Sequence, residues 1–177
     1  MTETLPLTRT TVGVRPYRPA DHGACRLLWG EFSDQHRDLY AEQITDGPDP
    51  GAGFEEYLTR LDLTGMWVAD DRGEGVVGFA GLILDGRRGE VDPVVVAARR
   101  RGQGIGRSLL EYVAEQARVR GLRELSISPA LRNIEAIHCL HAAGFDALTS
   151  VTLTVDLKGR RRSWNDGIEL HEKRFRY

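Results

Sequence analysis

The sequence predicts a single α/β domain of the α+β kind, residues 1–177, with a mixed and mostly antiparallel sheet of about seven strands flanked by about four helices. Three observations predict it. Apolar residues recur at helical spacing in four segments and alternate in the others. From residue 65 three alternating runs follow one another across short glycine turns. A run rich in glycine and arginine, Arg99–Ser108 (RRRGQGIGRS), then joins a β-branched stretch to an amphipathic one.

Taken in order, Val12 and Val14 alternate in TVGVRPY and mark a first strand. Pro19-Ala20-Asp21 opens a helix whose apolar face is Ala24, Leu27, Leu28 and Phe32. Residues 33–52 are polar and end in a Gly/Pro/Asp cluster, the composition of a loop. Phe54, Tyr57, Leu58 and Leu61 mark a short helix. GMWVAD, VVGFAGLILD and GEVDPVVVA then read as an antiparallel meander. Ile105, Leu109, Leu110, Val113, Ala114 and Ala117 form one face of a helix that Gly121 stops. LRELSIS (122–128) is a strand, so 90–128 is expected to be a right-handed parallel crossover. Residues 133–144 form a helix with Asn133 as its N-cap and Gly144 just past its end. SVTLTVDL (150–157) and GIELHEKRFRY (167–177) are the last strands of the one sheet. The alternation of Ile168 and Leu170 changes phase before Phe175, which suggests a bulge near Lys173.

Composition limits the function. Hydrophobic residues make up 41% and charged residues 28%, enough apolar material for one core. A net charge of −2 lacks the basic excess of a general nucleic-acid or anionic-membrane binder. Arg160-Arg161-Arg162 reads as a solvated hairpin tip. No membrane span and no secretory signal are seen, and Cys25 and Cys139 have no Cys-x-x-Cys spacing, so a cytoplasmic protein with reduced thiols is expected. No metal is expected.

The glycine run carries the chemistry. A helix starting near Gly104 has first amides with no intrahelical acceptor, at the positive end of its dipole. Glycines admit a phosphate close to the backbone, and arginines add charge-assisted bonds. The spacing excludes two phosphate loops. A Gly-x-x-x-x-Gly-Lys-Ser/Thr loop would need glycine at Arg101 and lysine at Arg107. The dinucleotide fingerprint Gly-x-Gly-x-x-Gly fails because the glycines stand at 102, 104 and 106.

Arg101-x-x-Gly104-x-Gly106 resembles the Arg/Gln-x-x-Gly-x-Gly/Ala motif of the GNAT superfamily of acyl-CoA-dependent N-acetyltransferases. Asn133-Ile-Glu-Ala136 through Gly144-Phe145 is similar to that family's Asn-x-x-Ala…Gly-Phe signature, and the element order agrees over roughly residues 11–157. The resemblance implies a splayed parallel strand pair that binds acyl-CoA. The pantetheine arm of acetyl-CoA would lie along Val94, Val95 and Val96. The pyrophosphate would rest on the amides of Gly102, Gln103, Gly104, Ile105, Gly106 and Arg107, beside Arg101 and the hydroxyl of Ser108. Asn133 would contact the pantetheine while also capping its helix.

Transfer of an acyl group from a thioester to an amine needs a base for the amine and a donor for the oxyanion, here a backbone N–H of Val94–Val96. Asp92 matches the family position of an acidic base or water relay, and Glu90 shares its face of the strand. The family's tyrosine, seven residues after the asparagine, is Leu140 here. His141 and His138 flank it as candidate acids, and a thiolate can also leave with water's help. Trp29, Asp34, His36, Tyr40 and Trp67 are candidates to line the acceptor site. The expected activity is N-acetylation of a primary amine on a small molecule or protein. The alternative is a non-catalytic acyl-CoA-binding or regulatory domain, and a nucleotide-binding protein is a third reading that the loop spacings disfavour. Pairing of terminal strands across an interface would make a homodimer.

Overall fold

The computed structural model describes residues 12–40, 49–61, 65–155, 157 and 164–177. Its order is β1 (Val12–Pro16), α1 (His22–Tyr40), α2 (Ala52–Arg60), β2 (Met66–Asp71), β3 (Gly75–Asp85), β4 (Arg88–Val96), α3 (Ile105–Val119), β5 (Glu124–Ser126), α4 (Ile134–Ala142), β6 (Asp166–Leu170) and β7 (Lys173–Arg176). β1 to β5 form a five-stranded sheet in sequence order, antiparallel except for the parallel pair β4–β5. β6 and β7 form a separate two-stranded sheet.

The sheet buries both faces, as the continuous apolar runs of β2 to β4 require. On one face Ile105, Leu109, Leu110 and Val113 of α3 and Leu140 of α4 pack on Trp67, Ala69, Ala80, Leu82 and Val91. On the other, Cys25 and Leu28 of α1 and Phe54, Tyr57 and Leu61 pack on Met66, Val68, Phe79 and Val95. Asp21 caps the turn before α1. Its carboxylate takes the Arg18 N–H at 2.8 Å and both terminal nitrogens of Arg15.

The structure corrects the sequence reading in four places. First, α1 runs on to Tyr40, through a segment read as loop. Polarity there marks a solvent face and not a break: Asp34 and Arg37 pair at 2.8 Å across one turn, and the His36 ring lies 6.3 Å from that of Phe32. Second, residues 151–155 form no strand, and Val151, Leu153 and Val155 are exposed. Alternation marks a strand only where an edge supplies hydrogen bonds, and no described strand pairs with this segment. Third, 167–177 is not one bulged strand. His171 and Glu172 have φ of 47° and 61°, the left-handed pair of a two-residue hairpin turn, so the chain reverses where the phase changes. Fourth, the sheet is not single, since that hairpin stands apart. Arg160, Arg161 and Arg162 lie outside the described residues. Among the described residues no helix is long and apolar enough to cross a membrane.

Candidate active site

The site is organised by an irregularity in β4. Val91 faces Leu82 and Val94 faces Ala80, so Asp92 and Pro93 together oppose the single residue Gly81. This is a β-bulge, and it reverses the side-chain phase of the strand. Val91 packs under α3, but after the bulge Val94 and Val96 take that side and Val95 turns to α1 and α2. The Asp92–Pro93 peptide is cis.

β4 also parts from β5. The parallel ladder holds Arg88 to Glu124, Gly89 to Leu125 and Glu90 to Ser126, then stops. Among the described residues no strand pairs with Val91–Val96 on that side. Ala97 donates its N–H to Val77 of β3 at 2.9 Å. Backbone groups alternate along a strand, so the amides of Val94 and Val96 face away from β3, into the gap. The Val96 carbonyl accepts from Nε of Arg101 at 3.2 Å, which confirms that direction.

The glycine run closes one end of the gap. Ala98–Arg100 make a short 3-10 turn, whose first amide donates to the Glu31 carboxylate of α1 at 2.9 Å. Gly102 and Gly104 then adopt φ of 72° and 81°, the left-handed region that favours glycine. Gly104 is the N-cap of α3, and among the described residues no side chain caps that helix. A Cβ added at Gly102 or Gly104 would meet nothing within 4 Å, so the backbone there is open to a ligand. Gly106 differs: its Cβ would sit 3.6 Å from Val96 Cγ2 and 3.7 Å from Cys139 Sγ, in ordinary contact.

The arginines divide by role. Arg99 and Arg100 grip Glu74, and Arg100 also reaches the buried Asp71 at 3.1 Å. Asp71 in turn accepts the amides of Gly73 and Glu74. These two arginines thus tie the loop to the β2–β3 turn. Arg107 pairs with Glu111 one turn along α3 at 2.8 Å. Ser108 is exposed in the first turn.

Glu90 and Asp92 lie on one face, as their spacing implies. Glu90 is exposed and accepts from the Ser128 hydroxyl at 3.1 Å. Asp92 is half-buried, with Arg60 Nη2 3.6 Å from its Oδ2. Burial pushes the Asp92 carboxyl above the usual carboxylate range; Arg60 opposes that shift and the charge of Glu90 adds to it. Asn133 caps α4 by accepting the Ala136 N–H at 3.1 Å. Leu140 points into the core under the sheet, while His138 and His141 are exposed on α4.

Other sequence candidates separate. Trp29 is partly buried, its ring 4.8 Å from Tyr57 and 5.9 Å from Phe54 on the Asp92 side of the sheet. His36 and Asp34 are exposed on α1, and Tyr40 ends that helix. Trp67 is buried on the opposite face, against Tyr112 and beneath the Arg120 guanidinium at 5.3 Å, and lines nothing on the Asp92 side. Sequence reasoning missed Tyr57, Arg60 and Gly81. A glycine inside a strand pattern is a bulge signal, so Gly81 was open to detection. Nothing local marks a hydroxyl that reaches a carbonyl 35 residues away.

A parallel strand pair thus parts beside a glycine-rich helix start, with the Asp92 carboxylate on the strand just past the parting point. The family model described as acetyltransferase (GNAT) family matches residues 23–145, and the chain belongs to that family. It is an acyltransferase, and the family uses acyl-CoA donors. A solved ribosomal-protein-alanine N-acetyltransferase from Brucella melitensis is 27% identical, with a TM-score of 0.58 over 74% of this chain and 82% of that one. A transcriptional regulator from Bacillus halodurans C-125 is 20% identical, with a TM-score of 0.61 over 82% and 99%. The structure of AAC(6')-Iy in complex with the bisubstrate analog CoA-S-monomethyl-acetylneamine is 16% identical, with a TM-score of 0.59 over 82% and 97%. The last two likenesses speak to fold alone. No curated protein sequence is similar enough to count as a match.

Proposed function

We propose that this protein transfers an acetyl group from acetyl-CoA directly to a primary amine of a small molecule or protein. One observation carries the reading: the strand β4 leaves its partner at Glu90 with two outward amides beside an uncapped glycine-rich helix start. The residues present suit the donor. The open backbone at Gly102 and Gly104, with Gln103, Ile105, Gly106 and Arg107, would seat the pyrophosphate, and Arg101 and Ser108 border it. The edge of Val94–Val96 would hold the pantetheine by strand addition, with Asn133 at the start of the facing helix.

The donor supplies a thioester already activated for attack. The chain's residues supply the rest. Asp92 accepts a proton from the incoming ammonium, directly or through water, and Glu90 on the same face is the second candidate. The raised proton affinity of Asp92 suits that task, because a base is most effective when its pKa approaches the working pH. The Val94 or Val96 amide donates to the oxygen that gains charge. Leu140 leaves the usual acid position apolar, so the departing thiolate takes its proton from His141, His138 or solvent. The two carboxylates favour a cationic acceptor over an anionic one.

The test has two parts. Coenzyme A and acetyl-CoA should raise the melting temperature, and ATP should not. Free thiol should then appear when acetyl-CoA is mixed with at least one of a panel of primary amines and protein N-terminal peptides. Stabilisation by coenzyme A without thiol release across the panel would favour a binding domain without turnover, the reading that Leu140 motivates.

A further inference from the structure

We infer that Tyr57 is a positioning residue for this acyl transfer: its hydroxyl fixes the bulge that aims both the Asp92 carboxylate and the Val94 amide. A bulge sets two residues against one and leaves a carbonyl outside the ladder. Here the Tyr57 hydroxyl donates to the Asp92 carbonyl at 2.6 Å. Tyr57 is 2% exposed, so no water replaces that bond without repacking. Its ring is held by Trp29 at 4.8 Å, Phe54 at 6.1 Å and Phe79 at 6.5 Å.

The opposing strand is shaped to admit the hydroxyl. A Cβ at Gly81 would lie 1.7 Å from the Tyr57 oxygen and 2.8 Å from the Asp92 carbonyl oxygen. The hydroxyl therefore takes the place a side chain would occupy on β3. One turn further along α2, Arg60 reaches the carboxylate of the same aspartate at 3.6 Å. A single helix thus holds Asp92 by backbone and by side chain. Burial raises the Tyr57 phenol far above its ordinary range, so it remains a donor throughout the working pH range. Its proton is committed to the Asp92 carbonyl, which separates it from a general acid.

The inference rests on the acyltransfer reading, and the experiment separates the two. Tyr57→Phe keeps the ring and removes the hydroxyl. Coenzyme A binding should keep its stoichiometry and stay within about twofold in affinity. The kcat per coenzyme-A-binding site should fall about tenfold to a hundredfold, with the KM for acetyl-CoA unchanged. A merely structural tyrosine would lower the melting temperature and the count of binding sites and leave kcat per site alone, which would overturn the inference. Amide hydrogen exchange reads the same claim without turnover. Exchange at Val95 and Ala97, whose amides point back to β3, should quicken about tenfold in Tyr57→Phe, while the Arg88–Glu90 ladder stays as it was. Equal exchange at all of these positions would overturn it. Gly81→Ala tests the bulge from the other strand. Its loss of rate should be smaller in the Tyr57→Phe background than in the native one, and independent losses would refute the coupling. If the native protein fails to bind coenzyme A at all, the acyltransfer reading falls while the exchange measurement still decides the role of Tyr57.

Discussion

Gly104→Ala tests the seat for the diphosphate. Gly104 holds φ of 81° at the start of α3, and an added methyl meets nothing within 4 Å. The substitution therefore costs backbone conformation and not space. Placing an L-residue with a Cβ in the left-handed region costs about 1–2 kcal/mol. If the loop keeps its shape, that energy is lost from folding, and the melting temperature should fall by about 2–8 °C for a chain of this size. If the loop instead relaxes, the amides turn from the ligand, and coenzyme A affinity should fall by about fivefold to thirtyfold. The two losses are alternatives, so their sum should stay near 1–2 kcal/mol. Differential scanning calorimetry and titration calorimetry with coenzyme A measure both terms. Gly106→Ala is the conformational comparison: that residue lies in the helix with ordinary neighbours at 3.6 and 3.7 Å, so an added methyl meets no left-handed penalty and should not lower the melting temperature. Equal behaviour of the two variants, or native stability and native affinity in Gly104→Ala, would refute the argument.

Asp92→Asn should lower kcat by about a hundredfold to ten-thousandfold, the range of a lost general base, with Glu90→Gln costing less; the reverse order would make Glu90 the base. The same variant should be more stable than the native chain at pH 7. The Asp92 carboxyl is raised in the folded state, chiefly by burial, so its protonated form is the one the fold favours. That contribution is fully present below the unfolded carboxylate pKa and lost as pH rises through the folded one, and asparagine mimics the protonated form. The stability difference should therefore vanish in acid, as melting curves from pH 3 to 8 would reveal. Cys25 is fully buried and its thiol is pushed up to about 12, whereas Cys139 is half-buried. A thiol-disulfide reagent at neutral pH should count one thiol per native chain and two only after denaturation; two fast thiols would contradict the packing of α1.

What the sequence discloses follows from how local the cause is. The meander, the glycine run and the cap at Asn133 each arise within a few residues, through alternation, φ > 0 positions and a side chain bonding three residues on. The shared face of Glu90 and Asp92 is likewise a matter of period. The bulge is different, because it depends on Gly81 and Tyr57 coming from two other elements. Leu140 shows the same limit: an apolar residue at a site position and an apolar residue in a core look alike until the helix is packed. The final residues misled because His171 and Glu172 carry a turn that glycine or asparagine usually makes. The apolar alternation of 151–155 describes a strand without a described partner. Local pattern proposes such a strand, and pairing decides it.

The arginine-rich loop is less electropositive than its composition suggests. Arg99 and Arg100 are neutralised by Glu74 and Asp71, and Arg107 by Glu111. Arg101 is the one of the four with no acidic partner among the described residues; its Nε donates to the Val96 carbonyl. At the proposed site, attraction of a polyanionic donor would thus rely on oriented peptide dipoles at short range more than on a cloud of surface charge. Dissolved electrolyte weakens both, but with so few unpaired arginines at the proposed seat the affinity for coenzyme A should decline only modestly as ionic strength rises.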